Sequence, residues 1–197
     1  MASVTVYCSS STHLDPDFHE PAVIVGAELA RRGITLVYGG GCVGLMGEIA
    51  RAARAGGGRV IGIITRRLMD AERADHGCDE LIVVETMRER KTLLAQRADG
   101  FLVLPGGIGT YEEFFEVLVA RQLGEHDKPI GVINSHGYFN PLIAMIEHGI
   151  EHRFIKSGTR SRFFMHPEPR PVIDHVCGAL APCPSNVGVR NGVSAPD

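Results

Sequence analysis

The chain is poor in aromatic residues and has no excess of positive charge, and each shortage excludes a class of function. Aromatic residues make up 6% of the 197 positions, tryptophan is absent, and the formal net charge is −3. A surface that binds a nucleic-acid polymer needs a basic stripe or aromatic platforms on which bases stack, so such binding is not expected. A small phosphorylated ligand needs only a local cluster of positive charge.

Cysteine pairs and long apolar runs are also missing. The five cysteines are an odd set without CxxC spacing, which argues against a disulfide framework and a zinc site. No apolar run approaches the roughly 20 residues that cross a bilayer, and the first residues lack the pattern of a signal peptide. We therefore expect a cytoplasmic protein without a membrane partner. His148 and His152, four residues apart, are interpreted as a solvated helix face, and no metal is expected.

Apolar, strand-like runs alternate with segments of helical length. The predicted strands are residues 4–8, 35–38, 60–64, 81–84, 101–104 and 130–133. This alternation predicts an α/β fold, a Rossmann-like doubly wound parallel sheet in three layers (α/β/α), with ligand-binding loops after the strands. Residues 1–180 suit a single nucleotide-binding domain, whereas residues 181–197 lack periodicity and are expected to be a disordered tail. Asp15 and Pro16 resemble a helix start, and Pro21 would then kink the first helix or delay its start.

Residues 105–113 combine an anion cradle with a carboxylate. An apolar run precedes them and helical spacing follows from Thr110, so their glycines lie at a strand-to-helix turn. Free amides and the helix dipole favour an anion there, and residues without Cβ let a phosphate approach the backbone. A phosphorylated ligand is therefore predicted. Thr110 and Glu113 also have capping-box spacing, so a purely structural role for Glu113 is open.

A second glycine cluster, residues 39–44, formally satisfies G-x-G-x-x-G. The dinucleotide fingerprint also requires an acidic residue about 20 positions later, where this chain has Arg66 and Arg67, so NAD is disfavoured. Two interpretations stay open: a tight turn that lets the next helix pack close to the sheet, or direct contact with a ligand. Ser10, after the first strand, offers a hydroxyl at the same sheet edge.

Thr86 and Glu89 form a capping-box pattern that predicts a helix reaching about Ala98. Helical spacing groups Arg90 with Met87 and other apolar positions on one face. A guanidinium on an apolar face must reach solvent or meet an anion, because burying an unpaired charge is too costly. Arg90 is therefore predicted to form a salt bridge with a core carboxylate or to hold an anionic ligand.

Two motifs together resemble the LONELY GUY family of cytokinin riboside 5'-monophosphate phosphoribohydrolases, often labelled lysine decarboxylases in the past. The family pattern combines a proline, two glycines, a further glycine, a threonine and a glutamate with a preceding Met-x-x-Arg-Lys element. The matching positions are Met87, Arg90, Lys91, Pro105, Gly106, Gly107, Gly109, Thr110 and Glu113. The likeness extends over about residues 4–151.

The resemblance implies a hydrolase that cleaves the N-glycosidic bond of N6-modified AMP, with AMP as a further candidate, to the free base and ribose 5-phosphate. It implies a homodimer, no cofactor, and catalytic roles for Arg90 and Glu113. Together with the motifs it predicts these substrate-binding residues: Ser10, Gly40, Gly41, Glu72, Met87, Lys91, Gly106, Gly107, Ile108, Gly109, Thr110, Tyr111 and Glu112.

The chain departs from the family at two positions: Ser9 replaces a usual glycine, and Val119 replaces a threonine that often lies near the ligand. Two other functions compete. A non-catalytic nucleotide-binding protein could use the same glycine loops, because such loops hold a phosphate without chemistry. A decarboxylase would need a lysine to bind pyridoxal phosphate, and none of the three lysines lies in a convincing context.

Overall fold

The computed structural model describes residues 1–69 and 73–180. These residues form a seven-stranded sheet and six α-helices. The strands are β1 Ser3–Tyr7, β2 Thr35–Tyr38, β3 Val60–Thr65, β4 Glu80–Val84, β5 Gly100–Val103, β6 Ile130–Ile133 and β7 Phe164–His166. The helices are α1 His19–Arg31, α2 Gly44–Ala55, α3 Met87–Gln96, α4 Ile108–Leu123, α5 Asn140–Glu151 and α6 Pro169–Leu180. The predicted tail and Glu72 lie outside the described residues.

All six strand pairings of this sheet are parallel, in the order β4-β3-β2-β1-β5-β6-β7. The chain winds outward from β1 to β4 and then outward in the opposite direction from β5 to β7. The winding reverses between β1 and β5, where Tyr7 lies beside Val103. The doubly wound parallel sheet is therefore confirmed, and its topological switch point is the expected place for a ligand.

Helices cover both faces of the sheet and give three layers. On one face, Val25 of α1, Ile49 of α2 and Val176 of α6 belong to one buried cluster. On the other face, Leu94 of α3 and Phe114 of α4 belong to a second cluster, which also includes residues of α5. Burial on both faces explains why the strands appear as continuous apolar runs in the sequence. In residues 1–69 and 73–180, no helix has the length and apolar character to span a membrane.

The six predicted strands are confirmed, each end within one residue. β7 was not predicted, because it has only three residues, all half-buried, and lies at the sheet edge. The delayed start of the first helix is confirmed as well. Asp15 caps a 3₁₀ turn, Pro16–Phe18, and α1 begins at His19. Pro21 therefore lies in the first turn of α1, where a backbone N–H has no partner within the helix.

Of the two predicted capping boxes, one forms. The Thr86 hydroxyl accepts from the Glu89 amide at 3.2 Å, and the Glu89 carboxylate accepts from the Thr86 amide at 3.0 Å. The capping box at Thr110 and Glu113 was wrong, because α4 begins at Ile108 with Gly107 as its N-cap. Thr110 thus lies inside the first turn, and Glu113 needs an explanation other than capping.

Candidate active site

A cavity of about 470 Å³ lies at the carboxyl ends of β1 and β5. Its walls come from the loop after β1, the first turns of α4, Gly39 after β2, Met46 of α2 and the inner face of α3. The two loops at the switch point are tied together, because the Ser9 amide donates to the Pro105 carbonyl at 3.1 Å. The cavity therefore lies where the winding of the sheet reverses between β1 and β5, and segments that are distant in sequence meet around it.

The glycine turn before α4 faces this cavity. Apart from the glycine, its chain neighbours and the adjoining helix backbone, no heavy atom lies within 4 Å of the place where a Cβ would stand on Gly107 or Gly109. A ligand can therefore approach the backbone there. Behind them, Thr110 is buried, and a Cβ on Gly106 would collide with its side chain. The free amides at the start of the 16-residue helix α4 therefore face open space, which suits an anion.

Arg90 lines the cavity with only 5% of its surface exposed. Its Nε donates to the carbonyl of Ile63 at 3.0 Å, and its Nη2 donates to the carbonyl of Gly39 at 2.9 Å. A Cβ on Gly39 would collide with Nη2, so only glycine leaves room for the guanidinium. Carbonyl dipoles hold Arg90 in place, and both Arg90 and Glu113 line the cavity.

Tyr7 is a cavity residue that the sequence analysis missed. Burial raises the pKa of its hydroxyl well above the ordinary value, the charges of Glu113 and Glu116 raise it further, and Arg90 lowers it. The hydroxyl therefore stays protonated and lies within the fields of both predicted catalytic residues. Its position as the last residue of β1, beside the switch point, is the signal that could have indicated it.

The structure brings many of the predicted site residues to the cavity but not all. Those that line it are Ser10, Met87, Arg90, Gly107, Gly109, Thr110, Glu112 and Glu113. Those outside the lining are Gly40, Gly41, Lys91, Gly106, Ile108 and Tyr111. Met46 and Leu68 also line the cavity and were not predicted, since lone apolar residues give no functional signal in a sequence.

Lys91 lies in a neighbouring groove on the outer face of α4. Its ammonium group donates to the Glu112 carboxylate and lies 3.5 Å from that of Glu116. The hydrogen bond to Glu112 is the main cause that raises the pKa of Lys91. Glu112 borders both the groove and the cavity, so it forms the rim between them. Val119, the departure from the family pattern, lies in the groove as well.

Of the other predicted residues outside the cavity, Tyr111, Gly106 and Gly40 are held by contacts within the protein, and Ile108 is exposed. The Tyr111 hydroxyl donates to the Tyr138 hydroxyl at 3.1 Å, which donates to the carbonyl of Gly106 at 2.6 Å. Gly40 packs against the backbone of β3, which fits the tight-turn interpretation of the second glycine cluster. Ile108 is 81% exposed at the start of α4.

Asp75 anchors the segment that approaches the second glycine cluster. Its amide donates to the Gly40 carbonyl at 2.8 Å. Its carboxylate accepts from the Arg54 guanidinium at 2.6 Å and from the Tyr38 hydroxyl at 2.8 Å. Burial would raise the pKa of Asp75, but the hydrogen bonds from Arg54, Tyr38 and the Gly77 amide outweigh it and leave the pKa lowered. Asp75 was not predicted, because its partners lie in distant parts of the sequence.

Lys128 and the group formed by His148, Glu151 and His152 lie away from the cavity. Lys128 donates to the carbonyl of Ala95 at 2.8 Å, and burial lowers its pKa. All three lysines lie in the described ranges, and none lines the cavity. His148 and His152 lie with Glu151 on the exposed end of α5, with ligand atoms within 4.8 Å of one another.

Several proteins of known name are similar to this chain in sequence. The sequence model of a family described as "Possible lysine decarboxylase" matches residues 46–176. A probable cytokinin riboside 5'-monophosphate phosphoribohydrolase of Oryza sativa subsp. japonica is 42% identical over 171 residues, which are 87% of this chain and 70% of the relative. A cytokinin riboside 5'-monophosphate phosphoribohydrolase of Arabidopsis thaliana is 38% identical over 187 residues, 95% of this chain and 86% of the relative.

Solved structures with the same fold are more distant in sequence. The molybdenum cofactor binding protein of Rippkaea orientalis aligns with a TM-score of 0.68 at 20% identity, over 91% of this chain and 97% of that one. The molybdenum cofactor carrier protein of Chlamydomonas reinhardtii aligns with a TM-score of 0.70 at 19% identity, over 91% and 98%. These likenesses show the fold alone. The match over residues 46–176 and the relatives at 42% and 38% identity show that the chain belongs to the LONELY GUY family, to which the old decarboxylase description is still attached.

Proposed function

We propose that this protein is a phosphoribohydrolase that cleaves the N-glycosidic bond of N6-modified AMP, a cytokinin riboside 5'-monophosphate. AMP is a further candidate substrate, and the products are the free base and ribose 5-phosphate. The observation that carries the proposal is the meeting of Arg90, Glu113 and the open glycine turn in one cavity at the switch point. The names of the Oryza and Arabidopsis relatives support the same activity.

In the proposed mechanism, the 5'-phosphate binds the free amides of Gly107 and Gly109 at the start of α4, beside Thr110. Water attacks the anomeric carbon of the ribose, the bond from that carbon to the base nitrogen breaks, and the base leaves with a proton. Glu113 stabilises the positive charge that develops on the ribosyl group, or orients the water. Arg90 binds and polarises the nucleotide.

Several predicted contacts remain proposals of the same kind. Ser10, Met87 and Glu112 would contact the substrate from the cavity wall, and Glu72 would do so from outside the described residues. Lys91 would act through Glu112, because its ammonium group is bound to that carboxylate on the far side of the rim. No cofactor takes part in this mechanism, which residues 1–180 would carry out as one domain.

The two competing functions have less support. A lysine decarboxylase holds pyridoxal phosphate as a Schiff base, and no lysine of this chain lines the cavity. A non-catalytic nucleotide-binding protein would need the glycine turn but not a carboxylate beside the ribose. Glu113 supplies a carboxylate to the cavity, and a capping box with Thr110 does not explain it, because α4 begins at Ile108.

The activity can be tested by incubating the protein with AMP, or with N6-isopentenyl-AMP, and separating the released base by chromatography. We expect base release from at least the modified nucleotide, and its loss in Glu113→Gln. Binding of both nucleotides without release of base would contradict the enzyme and support the non-catalytic alternative. Release of carbon dioxide from lysine, after addition of pyridoxal phosphate, would support the decarboxylase instead.

We also propose that two copies associate through the outer face of α4. Phe115, Val119 and Leu123 are spaced by four residues on this helix and border the groove beside the cavity. Val119 is 49% exposed and Leu123 68% exposed, which is unusual for apolar residues that lie together. A second copy of the chain would cover them and place the two cavities near the interface.

Light scattering during size-exclusion chromatography tests this association. The wild type should elute with about twice the 21.3 kDa mass of the chain, and Leu123→Lys should elute as a monomer. A monomeric wild type would contradict the proposal. For location we propose the cytoplasm, which the thiols of Cys42, Cys78 and Cys177 support, because none of these three forms a disulfide.

A further inference from the structure

A second polar cavity, of about 330 Å³, lies near the carboxyl end of α4. We call it the arginine cavity, and its lining is Arg121, Arg160, Ser161, Arg162, Phe163, Phe164 and His175. It shares no lining residue with the candidate active site. Glu113 and Arg121, the nearest lining residues of the two cavities on α4, are eight residues apart, which is about 12 Å along the helix axis.

The arginine cavity gathers positive charge without a matching acid. Its three guanidinium groups are always charged at physiological pH. Within residues 1–69 and 73–180, no carboxylate lies within ion-pair distance of Arg121, Arg160 or Arg162. Arg121 donates to the carbonyl of Arg162 at 2.7 Å, and Arg162 donates to the carbonyl of Arg121 at 3.2 Å. These reciprocal bonds hold two like charges close together through backbone carbonyls.

One donor at this cavity has no acceptor. The Nε of Arg162 is buried and has no hydrogen-bond partner in the described part of the chain. Leaving a buried donor unsatisfied costs about 1–3 kcal/mol, so this arrangement of Arg162 carries a cost. The positive charge is felt by a neighbouring group as well. The pKa of His175 is lowered, first by burial and then by the charge of Arg121.

We propose that the arginine cavity binds a phosphate-class anion, as a second site independent of the glycine turn. Guanidinium groups present forked donors that match the oxygens of a phosphate, and such charge-assisted bonds are among the strongest hydrogen bonds in proteins. Arg160 is already oriented, because its guanidinium lies 4.9 Å from the ring centre of Phe163. The anion would tie the end of α4 to the 3₁₀ segment Ser157–Arg162.

The occupant could be inorganic phosphate or the phosphate group of a small metabolite, and one experiment separates these sources. The isotope-labelled protein is titrated with sodium phosphate, and in parallel with ribose 5-phosphate, at constant ionic strength set by sodium chloride. Backbone amide signals of Phe163 and Phe164 report on the arginine cavity, and those of Gly107 and Gly109 report on the glycine turn. We expect two distinct binding curves from the two pairs of signals. Tighter binding of ribose 5-phosphate at Phe163 and Phe164 would identify a phosphate monoester as the occupant.

Arg160→Gln is the decisive variant, with Arg170→Gln as the matched control. Arg170 lies in α6 with an exposed side chain and does not line the cavity, so its replacement removes the same charge elsewhere. Arg160→Gln should weaken phosphate binding at Phe163 and Phe164 by about tenfold or more, since one charge-assisted bond is lost. The curve at Gly107 and Gly109 should stay unchanged, and Arg170→Gln should change neither curve.

An unchanged curve at Phe163 and Phe164 in Arg160→Gln would overturn the proposal. So would a response at these amides that sodium chloride alone reproduces. If Arg160→Gln melts at a much lower temperature than the wild type, Arg160→Lys provides a second test. It keeps the charge but removes the forked donors, so the proposal then requires phosphate binding weaker than in the wild type.

Discussion

The turn at residues 105–109 opens toward the active-site cavity, whereas the turn at residues 39–44 is packed against the protein itself. Where a Cβ would stand on Gly107 or Gly109, no heavy atom outside the local backbone and the neighbouring residues lies within 4 Å. A Cβ on Gly39 would collide with Arg90, and one on Gly44 with the backbone around Ser11. Both turns join a parallel strand to a helix, and both are rich in glycine.

The difference shows that the space left by a glycine can be open to a ligand or filled by another group of the protein. In the open turn, the proposed function assigns that room to a ligand, so a methyl group should disturb binding and leave the fold intact. In the packed turn, other groups of the protein fill the space, and at Gly39 that group is the Arg90 guanidinium. A methyl group at Gly39 should therefore lower the stability of the fold and displace Arg90. Substitutions in and around the two turns test this contrast, and we give them in order of decreasing effect on activity.

The largest effect is expected for Glu113→Gln, in the helix that follows the open turn. The exchange removes the negative charge that would stabilise a ribosyl cation, so kcat should fall by about a hundredfold or more. The melting temperature should stay near that of the wild type, because Glu113 does not cap α4. Base release and thermal melting are measured on the same preparation. Glu147→Gln, an exposed change on α5, is the control. Full activity in Glu113→Gln would remove this glutamate from the mechanism.

Gly39→Ala should lower both stability and activity. The added Cβ would collide with the guanidinium of Arg90, and such overpacking costs about 1–3 kcal/mol, or several degrees of melting temperature in a chain of this size. Displacing Arg90 should lower kcat/KM by at least about tenfold, since small misplacements of a reacting group are costly. Gly178→Ala, where a Cβ meets no atom within 4 Å, serves as the control. Wild-type kcat/KM in Gly39→Ala would show that Arg90 tolerates displacement.

Gly109→Ala should weaken nucleotide binding without destabilising the protein. Alanine is the better helix former at this position, so the melting temperature should stay constant or rise. The methyl group occupies space that the 5'-phosphate would use, so KM for AMP should rise about tenfold, equivalent to one charge-assisted bond.

Nucleosides provide the matched comparison for this change. AMP should be cleaved far better than adenosine by the wild type, because only AMP offers an anion to the amides at the start of α4. Gly109→Ala should reduce that preference. Equal rates on AMP and adenosine in the wild type would contradict the anchoring role of the open turn.

The smallest effect on activity is expected for Asp75→Asn. Asp75 lies outside the packed turn and contacts it through the hydrogen bond from its amide to the Gly40 carbonyl. Removing the charge that Arg54 and Tyr38 contact should lower the free energy of unfolding at pH 7 by about 2 kcal/mol. The pKa of Asp75 is lowered in the folded state, so its contribution is present above its ordinary pKa of 3.8 and is lost as pH falls through the folded value. The stability difference between wild type and variant should therefore shrink below about pH 4.

Urea unfolding at several pH values measures this difference. Asp127→Asn, an exposed change, should show little difference from the wild type at any pH. A gap between wild type and Asp75→Asn that stays constant down to pH 2 would mean that the ion pair with Arg54 does not carry the stabilisation.

The sheet could be predicted from the sequence because each strand that is buried on both faces appears there as a continuous apolar run. β7 lacks one, since its three half-buried residues lie at the sheet edge. Thr86 and Thr110 have the same capping-box spacing, but only Thr86 begins a helix. At Thr110 the extended backbone of Gly107 starts α4 earlier, and the threonine packs against Gly106 instead.

For the site, the sequence indicated the segments but not the directions of their side chains. Arg90 and Lys91 are neighbours in one motif, yet they diverge, Arg90 into the cavity and Lys91 into the groove beyond α4. Asp75 contacts partners that are distant in the chain, and no local pattern encodes such pairs. Tyr7 could be indicated only by its position at the end of β1, beside the switch point.

The two carbonyl bonds of Arg90 have a consequence for the thermodynamics of binding. Fixing a long, flexible side chain on association usually costs about 0.5–1.5 kcal/mol of conformational entropy. Arg90 loses that freedom when the chain folds, because Ile63 and Gly39 already hold its guanidinium. A nucleotide bound as proposed would therefore meet a preorganised charge. Calorimetry of nucleotide binding should then find a smaller entropic penalty than binding to a looser side chain at this position would show.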